Sequence, residues 1–147
     1  MDVDGTLTDG KIYMSNDGEI MKAFNIKDGY GIHDIAIPDN IVPIIITGRT
    51  SKILVNRCKE LGIDNLYQGV KNKEDKLQTI VNDLAEVAYI GDDENDLLCM
   101  LSIKEAGGIV GCPADATDKV MTIADFVSKK NGGDGAVREF IEWLLEP

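Results

Sequence analysis

The sequence predicts an α/β protein built on a doubly wound parallel sheet with helices on both of its faces. Apolar runs typical of buried strands alternate with segments whose apolar residues recur at helical spacing. The 147 residues, 44% of them hydrophobic, are enough to form one core, so we expect a single domain over residues 1–147. Polar residues cluster directly after the predicted strands, where parallel sheets bind their ligands.

The chain opens with two carboxylates on either side of one apolar residue. If the residues before Gly5 are extended, Asp2 and Asp4 point to one side of the backbone and Val3 points to the other. Only Met1 precedes Asp2, whereas a strand usually contains about five or six residues. We therefore expect Asp2 to be poorly anchored, and activity to suffer, if the chain is a truncated form.

A projecting β-hairpin is predicted over residues 11–26. Lys11–Met14 and Glu19–Phe24 flank Ser15–Gly18, a run of turn-forming residues that includes a glycine. The methionines and the phenylalanine of this segment provide more apolar surface than a hairpin that projects into water usually exposes. We therefore expect the hairpin to pack on its own domain or on another subunit.

The middle of the chain alternates strands with helices. A short helix is expected over residues 31–37, before Pro38, and the run Ile41–Ile46 indicates a strand buried on both faces. Further strands are expected at 65–67, 87–90, 107–111 and 126–127, with helices at 51–61, around Leu77–Leu84 and at 117–124. A glycine-rich tail and an amphipathic terminal helix occupy about 129–147.

Composition excludes several classes of function. The formal charge of −11 disfavours nucleic acid as a partner. We find no membrane span and no signal peptide, so we expect a cytoplasmic protein without a membrane partner. Three distant cysteines, Cys58, Cys99 and Cys112, suggest buried thiols rather than disulfides or a metal site, and the single His33 has no metal-binding companion.

The polar residues that follow four segments should meet at one edge of the sheet. They are Asp2, Asp4, Thr47, Lys73, Asp92, Asp93 and Asp96. Together they suit phosphoryl transfer through an aspartyl-phosphate, with a carboxylate as nucleophile and a second one as general acid and base. Two anions cannot approach a phosphate unaided, so the chemistry also needs Mg²⁺ and fixed positive charge.

In this interpretation Asp2 is the nucleophile and Asp4 moves the proton. Mg²⁺ is held by Asp2, Asp4 and Asp92, with Asp93 and Asp96 in support. Lys73 supplies positive charge, and the hydroxyl of Thr47 holds phosphate oxygens as charge spreads over them. Lys76 lies three residues beyond Lys73 on the same helical face, so the lysine could be either of the two.

Four segments, in order and spacing, resemble the motifs of the haloacid dehalogenase-like phosphatases. Asp2-Val-Asp-Gly-Thr-Leu-Thr resembles the first motif, Thr47 the second, Lys73 the third and Gly91-Asp-Asp-Glu-Asn-Asp the fourth. The resemblance extends from Asp2 to about Leu145 and is closest to phosphatases of 3-deoxy-D-manno-octulosonate 8-phosphate and of similar nine-carbon sugar acid 9-phosphates. It implies a role in lipopolysaccharide or sialic acid biosynthesis.

This branch lacks a large cap domain and forms homotetramers in which the early hairpin packs at the centre and a neighbouring subunit closes each active site. The segments Lys27-Asp-Gly-Tyr-Gly, Thr47-Gly-Arg and Gly132-Gly-Asp-Gly-Ala-Val-Arg-Glu resemble it. By resemblance, Gly48, Arg49, Gly133 and Arg138 bind the substrate, with the two arginines as candidates for its carboxylate. Whether the tail reaches its own site or a neighbour's is left open.

Two other interpretations compete with the phosphatase. A catalytically idle domain that forms oligomers could derive from an acylneuraminate cytidylyltransferase, since related domains occur attached to such enzymes. A two-component receiver also combines an acidic pocket with a threonine and a lysine. A receiver has its acidic residues first, whereas here Thr47 and Lys73 precede Asp92.

Overall fold

The computed structural model describes residues 1–147 and has an α/β architecture, as predicted. The strands are β1 (Tyr13–Ser15), β2 (Gly18–Met21), β3 (Ile44–Ile46), β4 (Asn65–Tyr67), β5 (Ala88–Ile90), β6 (Ile109–Cys112) and β7 (Phe126–Val127). The helices are α1 (Ile26–Tyr30), α2 (Lys52–Leu61), α3 (Lys73–Ile80), α4 (Leu97–Ala106), α5 (Asp118–Ile123) and α6 (Ala136–Leu145). A π-helical segment, Gly31–Ala36, continues α1, and 3₁₀ turns occupy Leu84–Glu86 and Glu94–Asp96.

The first two residues join the two halves of the parallel sheet. β3 pairs with β4, and β5 pairs with β6, which pairs with β7, all in parallel. Between these groups, the carbonyl of Met1 accepts from the N–H of Ile46 at 3.1 Å, and the N–H of Asp2 donates to the carbonyl of Ile90 at 3.1 Å. The backbone of Asp2 is therefore held from both sides, which answers the concern that it is poorly anchored.

Helices cover both faces of the sheet, which confirms the doubly wound prediction. Neighbouring residues of β3 enter opposite cores: Ile45 packs with the π-helical segment, α2 and α6, and Ile46 packs with α3, α4 and α5. In β5, Ile90 joins the first core and Tyr89 the second. Both cores therefore meet the sheet at the strands that lead into the predicted site.

Two helices differ by several residues from their predicted bounds. The helix expected over 31–37 begins five residues earlier as α1, because Asn25 caps it by accepting from the N–H of Lys27 at 2.8 Å. The helix expected around Leu77–Leu84 ends at Ile80, because the backbone of Val81 is extended. Apolar spacing continues through a turn that no longer belongs to the helix, so periodicity alone overestimates its length.

The β-hairpin, β1 and β2, forms antiparallel strands around the predicted turn. Its strands are shorter than expected, and Met14 and Met21 are 57% and 47% exposed, whereas Phe24 packs against the first core. The three cysteines are free and buried, as predicted, and burial raises the pKa of each thiol to about 11. None of the helices has the length and apolar character needed to cross a membrane.

Candidate active site

The ends of the central strands bring the predicted residues to one edge of the sheet. Thr47 follows β3, Asp92 follows β5 after one glycine, and Asp2 lies between these two strands. Lys73 is the first residue of α3, whose N-terminus is capped by the side chain of Asn72. The four segments therefore converge on one site, as expected of a parallel sheet.

Four residues form what we call the buried cluster: Asp2, Lys73, Tyr89 and Asp96. The ammonium group of Lys73 lies 2.6 Å from Asp2 Oδ1 and 2.8 Å from Asp96 Oδ1. The hydroxyl of Tyr89 donates to the same oxygen of Asp96 at 2.7 Å. Lys76 instead places its ammonium group 4.3 Å from the centroid of the Tyr67 ring, so of the two candidate lysines it is Lys73 that contacts the carboxylates.

The carboxylate of Asp96 has all of its acceptor positions occupied. Besides Lys73 and Tyr89 on Oδ1, the N–H groups of Asp92 and Asp93 donate to Oδ2 at 3.1 Å and 3.3 Å. An ionised carboxylate offers about four lone-pair positions, so these four donors saturate it. Asp96 therefore organises Lys73 and the acidic loop, by which we mean residues 91–96.

Charges in the buried cluster perturb one another strongly. Burial and the neighbouring Asp96 carboxylate raise the pKa of Asp2. Burial acts to lower the pKa of Lys73, but Asp2 and Asp96 act to raise it by more, so this pKa is raised and the lysine stays charged. Lys73 thus provides a fixed positive charge beside the candidate nucleophile.

Three carboxylates come together at this edge of the sheet. Oxygen atoms of Asp2, Asp92 and Asp96 lie within 4.8 Å of one another. Burial and the charges of Asp2 and Asp96 raise the pKa of Asp92 to about 8, while the hydroxyl of Thr6 donates to its Oδ1 at 3.0 Å. Lys73 provides the one ammonium group in direct contact with these three carboxylates, so two negative charges have no cation in contact with them when all are ionised.

Gly5 makes room for this group of carboxylates. Its φ of +95° is in the left-handed region, and a Cβ atom there would lie 2.0 Å from Asp92 Oδ2. A side chain at this position would therefore displace the carboxylate of Asp92.

A second set of charged residues, which we call the hairpin cluster, lies beside the first: Asp4, Glu19, Lys22 and Arg49. The ammonium group of Lys22 lies 2.5 Å from Asp4 Oδ1 and 3.1 Å from Glu19 Oε1. Arg49 approaches both carboxylates at 3.9 Å. A hydrogen bond from the Ser51 hydroxyl lowers the pKa of Glu19 and ties the hairpin to the N-terminus of α2.

The side chain of Asp4 therefore belongs to the hairpin cluster and does not join the carboxylates of Asp2 and Asp92. Lys22 holds this carboxylate beside the three that come together, and its predicted role as a metal ligand stays a prediction. The position suits a proton carrier that lies beside the reacting centre.

The remaining predicted residues occupy different positions. Thr47 is buried, and its hydroxyl accepts from the N–H of Arg49 at 3.4 Å across the exposed Gly48. The N–H of Gly133 donates to the carbonyl of Thr6 at 3.0 Å. The glycine-rich tail therefore contacts the loop of residues 4–8 in its own chain, which we call the first loop.

Arg138 and Asp93 make local contacts. The guanidinium of Arg138 pairs with Glu142 at 2.6 Å and lies 4.9 Å from the centroid of the Tyr30 ring. Asp93 caps the 3₁₀ turn that follows it, by accepting from the N–H of Glu94 at 2.6 Å. Asp93 therefore stabilises the backbone of the acidic loop by a local hydrogen bond.

Sequence reasoning missed four side chains of the site: Thr6, Glu19, Lys22 and Tyr89. Thr6 lies inside the first motif, where its position next to Gly5 was a usable signal. Tyr89 lies within β5 and looks like any other core aromatic. Glu19 and Lys22 are charged residues in a predicted hairpin, and nothing in their spacing indicates that the hairpin folds back onto the first loop.

Known proteins closely resemble this chain, although no family model matches it. The 3-deoxy-D-manno-octulosonate 8-phosphate phosphatase of Escherichia coli K12 is 46% identical over 149 residues, which cover 99% of this chain and 77% of that protein. The Yersinia pestis protein of the same name is 43% identical, covering 98% of this chain and 76% of the relative.

Solved structures agree with the sequence relatives. The Moraxella catarrhalis 3-deoxy-D-manno-octulosonate 8-phosphate phosphatase, crystallised with magnesium, phosphate and a KDO molecule, has a TM-score of 0.89 and 38% identity, covering 99% of this chain and 83% of that one. A cobalt-bound phosphatase of Haemophilus influenzae has a TM-score of 0.88 and 36% identity, covering 98% and 84%. A Legionella pneumophila structure with a TM-score of 0.87 and 34% identity, covering 98% and 79%, is described as a putative HAD superfamily hydrolase of subfamily III A.

Proposed function

The chain belongs to the 3-deoxy-D-manno-octulosonate 8-phosphate phosphatase family of haloacid dehalogenase-like hydrolases, and from this premise we propose that it hydrolyses that sugar acid phosphate with Mg²⁺ as its cofactor. Members of the family are phosphoric monoester hydrolases. A nine-carbon 2-keto-3-deoxy acid 9-phosphate is the alternative substrate of the same chemical class.

The charge deficit of the acidic group is the observation that carries the proposal. Three carboxylates within 4.8 Å of one another, faced by one lysine, leave two negative charges, which a divalent cation would balance. Carboxylate oxygens are the hard ligands that Mg²⁺ prefers. Because Asp96 is saturated by four donors, Asp2 and Asp92 are the residues that would hold the ion. Bound Mg²⁺ would neutralise the site and polarise a phosphoryl oxygen.

The residues of the chain then divide the reaction into two displacements. A carboxylate oxygen of Asp2 attacks phosphorus, the bond from phosphorus to the sugar oxygen breaks, and Asp4 donates a proton to that oxygen. In the second step water attacks phosphorus, Asp4 takes up the proton of the water, and the carboxylate of Asp2 leaves. Lys73 and the hydroxyl of Thr47 hold the equatorial oxygens while charge spreads over them.

Phosphate release tests this proposal directly. We expect the wild type to release phosphate from 3-deoxy-D-manno-octulosonate 8-phosphate with Mg²⁺ present, and to lose this activity with EDTA. Asp2→Asn should release none above background, because an amide is not a nucleophile at phosphorus. Asp64→Asn, at an exposed aspartate, is the matched control and should retain the wild-type rate. Equal rates in Asp2→Asn and the wild type would refute the assignment.

The covalent intermediate has its own test. Acid quenching of the wild type during turnover of substrate labelled on phosphorus should leave labelled protein, and hydroxylamine should release the label because an acyl phosphate is sensitive to it. Asp2→Asn should carry no label. A wild type that turns over without ever acquiring label would favour direct attack of water on the substrate. It would leave the phosphatase activity itself in place.

The sugar side of the substrate is assigned to residues around the hairpin cluster. We place the substrate carboxylate near Arg49, whose side chain is 43% exposed and lies 3.9 Å from its nearest carboxylate oxygens, with Gly48 beside it. Gly133 lines the first loop, and Arg138 would have to leave Glu142 to contribute. Arg49→Met should raise KM for the sugar acid phosphate and leave KM for p-nitrophenyl phosphate unchanged, since the latter has no carboxylate.

The assembly is proposed to be a homotetramer formed by a single catalytic domain whose hairpin, about residues 11–26, supplies the contact surface. Ile12, Met14 and Ile20 are each more than half exposed, which is a large apolar area for one ribbon. Ile20→Lys should shift the mass measured by light scattering toward the monomer. Leu98→Lys, at a similarly exposed leucine of α4, is the control and should not.

A further inference from the structure

Asp28 is a buried carboxylate that the reaction outlined above does not use. It is 2% exposed, and it lies in α1 within the segment Lys27-Asp-Gly-Tyr-Gly. Its partners are backbone groups more than 100 residues away: the N–H of Gly135 donates to Oδ2 at 3.2 Å and the N–H of Arg138 to Oδ1 at 2.9 Å. Asp28 therefore caps the N-terminus of α6 from a different part of the chain.

This cap replaces one that α6 lacks locally. The residue before α6 is Gly135, which has no side chain to accept from the first N–H groups of the helix. The N-terminus of a helix carries partial positive charge, so it compensates part of the cost of burying a carboxylate. Burial still raises the pKa of Asp28, which means that the charge is held there at a cost.

The segment that precedes α6 is pressed onto the first loop of the site. The N–H of Gly132 donates to Asp115 Oδ1 at 2.9 Å, and that of Gly133 donates to the carbonyl of Thr6 at 3.0 Å. A Cβ atom on Gly132 would lie only 1.8 Å from the carbonyl oxygen of Gly5. Any movement of α6 away from α1 would therefore weaken the contacts that Gly132 and Gly133 make with this loop.

The first loop, residues 4–8, contains two side chains with roles at the site. Asp4 precedes Gly5 and is the proposed proton carrier, and the hydroxyl of Thr6 donates to Asp92, a proposed Mg²⁺ ligand. Both side chains depend on where the backbone of residues 4–8 lies. A small displacement there moves the proton carrier and the acidic loop together.

We propose that Asp28 is a positioning residue: by capping α6 it clamps the glycine-rich segment 131–135 against the loop of residues 4–8, and so fixes the positions of Asp4 and Thr6. The inference rests on the proposed function, which it deepens by giving a role to two glycine-containing segments that touch no reacting atom.

The test compares two carboxylates that both accept backbone N–H groups. Asp28→Asn keeps the size of the side chain but removes its charge and one acceptor. Asp125→Asn is the matched control: Asp125 accepts from the N–H of Val110 at 3.0 Å, at the start of β6, and pairs with Lys104. We would measure the melting temperature, kcat and KM for the sugar acid phosphate, and the exchange rate of the Gly133 amide.

Both variants should melt at lower temperature than the wild type. Only Asp28→Asn should lose kcat, by about tenfold or more, since misplaced catalytic groups cost rate well below the melting temperature. The Gly133 amide should exchange faster in Asp28→Asn alone. An unchanged kcat in Asp28→Asn, or an equal loss in Asp125→Asn, would overturn the proposal.

A second variant covers the case in which Asp28→Asn does not fold. Asp115→Ala removes the acceptor for Gly132 at an exposed residue, so it should fold, and it should lose kcat in the same direction. No loss of kcat there would also overturn the proposal. A wild type without phosphatase activity would refute the proposed function instead, and unchanged exchange of Gly133 in Asp28→Asn would refute the clamp by itself.

Discussion

The buried cluster and the hairpin cluster each place one lysine between two carboxylates, but water reaches them to different degrees. The side chains of Lys73, Asp2 and Asp96 are 2%, 6% and 0% exposed. In the hairpin cluster the two carboxylates are 20% and 16% exposed, and the guanidinium of Arg49 is a second cation 3.9 Å from both. Similar contact distances therefore carry different energies.

This difference in exposure to water determines how much each lysine contributes to the stability of its cluster. A buried charge that loses its only partner keeps its full desolvation cost, whereas a charge in contact with water or with another cation is partly compensated. Lys73 is the only cation of the buried cluster. Lys22 shares its two carboxylates with Arg49. Removal of each lysine in turn is the direct way to test this contrast.

The largest effect is expected from Lys73→Met. Methionine fills a similar volume but leaves Asp2 and Asp96 without a cation, and breaking a buried ion pair in this way costs about 3–5 kcal/mol. Urea denaturation in EDTA should report this loss of unfolding free energy, and phosphate release should disappear because the fixed positive charge at the phosphate is gone.

Lys76→Met is its matched control in the same helix. The ammonium group of Lys76 lies over the ring of Tyr67, so removing it should cost only about 0.5–1 kcal/mol, the usual range for a cation–π contact near solvent. Phosphate release should persist. A loss of activity in Lys76→Met with activity retained in Lys73→Met would reverse the assignment of the lysine.

Tyr89→Phe should have the second largest effect. It deletes one of the four donors to Asp96 while preserving the ring that packs in the core, and a hydrogen bond to a charged group is worth about 1.5–3 kcal/mol. Denaturation in EDTA measures the loss. Tyr67→Phe removes a hydroxyl from a half-buried tyrosine elsewhere, and a loss as large as that of Tyr89→Phe would show that the hydroxyl of Tyr89 has no special role.

Lys22→Met is expected to cost less than either change in the buried cluster. Its ammonium group is well buried, but Asp4 and Glu19 keep contact with water and with Arg49, so we expect a loss of about 1 kcal/mol. The same denaturation experiment measures it. A loss as large as that of Lys73→Met would mean that Arg49 provides no compensation.

The two clusters also differ in how well the sequence predicts them. Asp2, Thr47 and Asp92 lie at or just beyond the ends of adjacent parallel segments, and the geometry of such a sheet brings those ends together whatever else the chain does. Lys73 follows because α3 begins at the same edge. The fold class and the three charged residues of the buried cluster could therefore be predicted from motif order and strand pattern, whereas Tyr89 could not, because it looks like any other core aromatic.

The hairpin cluster could not be predicted in the same way. A strand alternates its side chains between two faces, but this period does not tell which face turns toward the body of the domain. Glu19 and Lys22 reach Asp4 only because the ribbon folds back over the first loop, and the contact between Asp28 and α6 likewise joins segments far apart in sequence. Long-range placement of single polar groups depends on packing that local patterns do not record.

The smallest expected effect, and the most specific one, is a difference in how salt concentration changes the stability loss caused by each lysine substitution. Screening acts on charges that water can reach and has little effect on buried pairs. Between about 0.02 and 0.5 M NaCl the Debye length falls to a few ångströms, so the loss caused by Lys22→Met should shrink by a few tenths of a kcal/mol. The loss caused by Lys73→Met should stay constant, because all three of its charged side chains are at most 6% exposed. Denaturation of both variants and the wild type at each salt concentration measures the two differences. If both losses declined in parallel, water would reach the buried cluster as readily as the hairpin cluster, and the contrast between them would not hold.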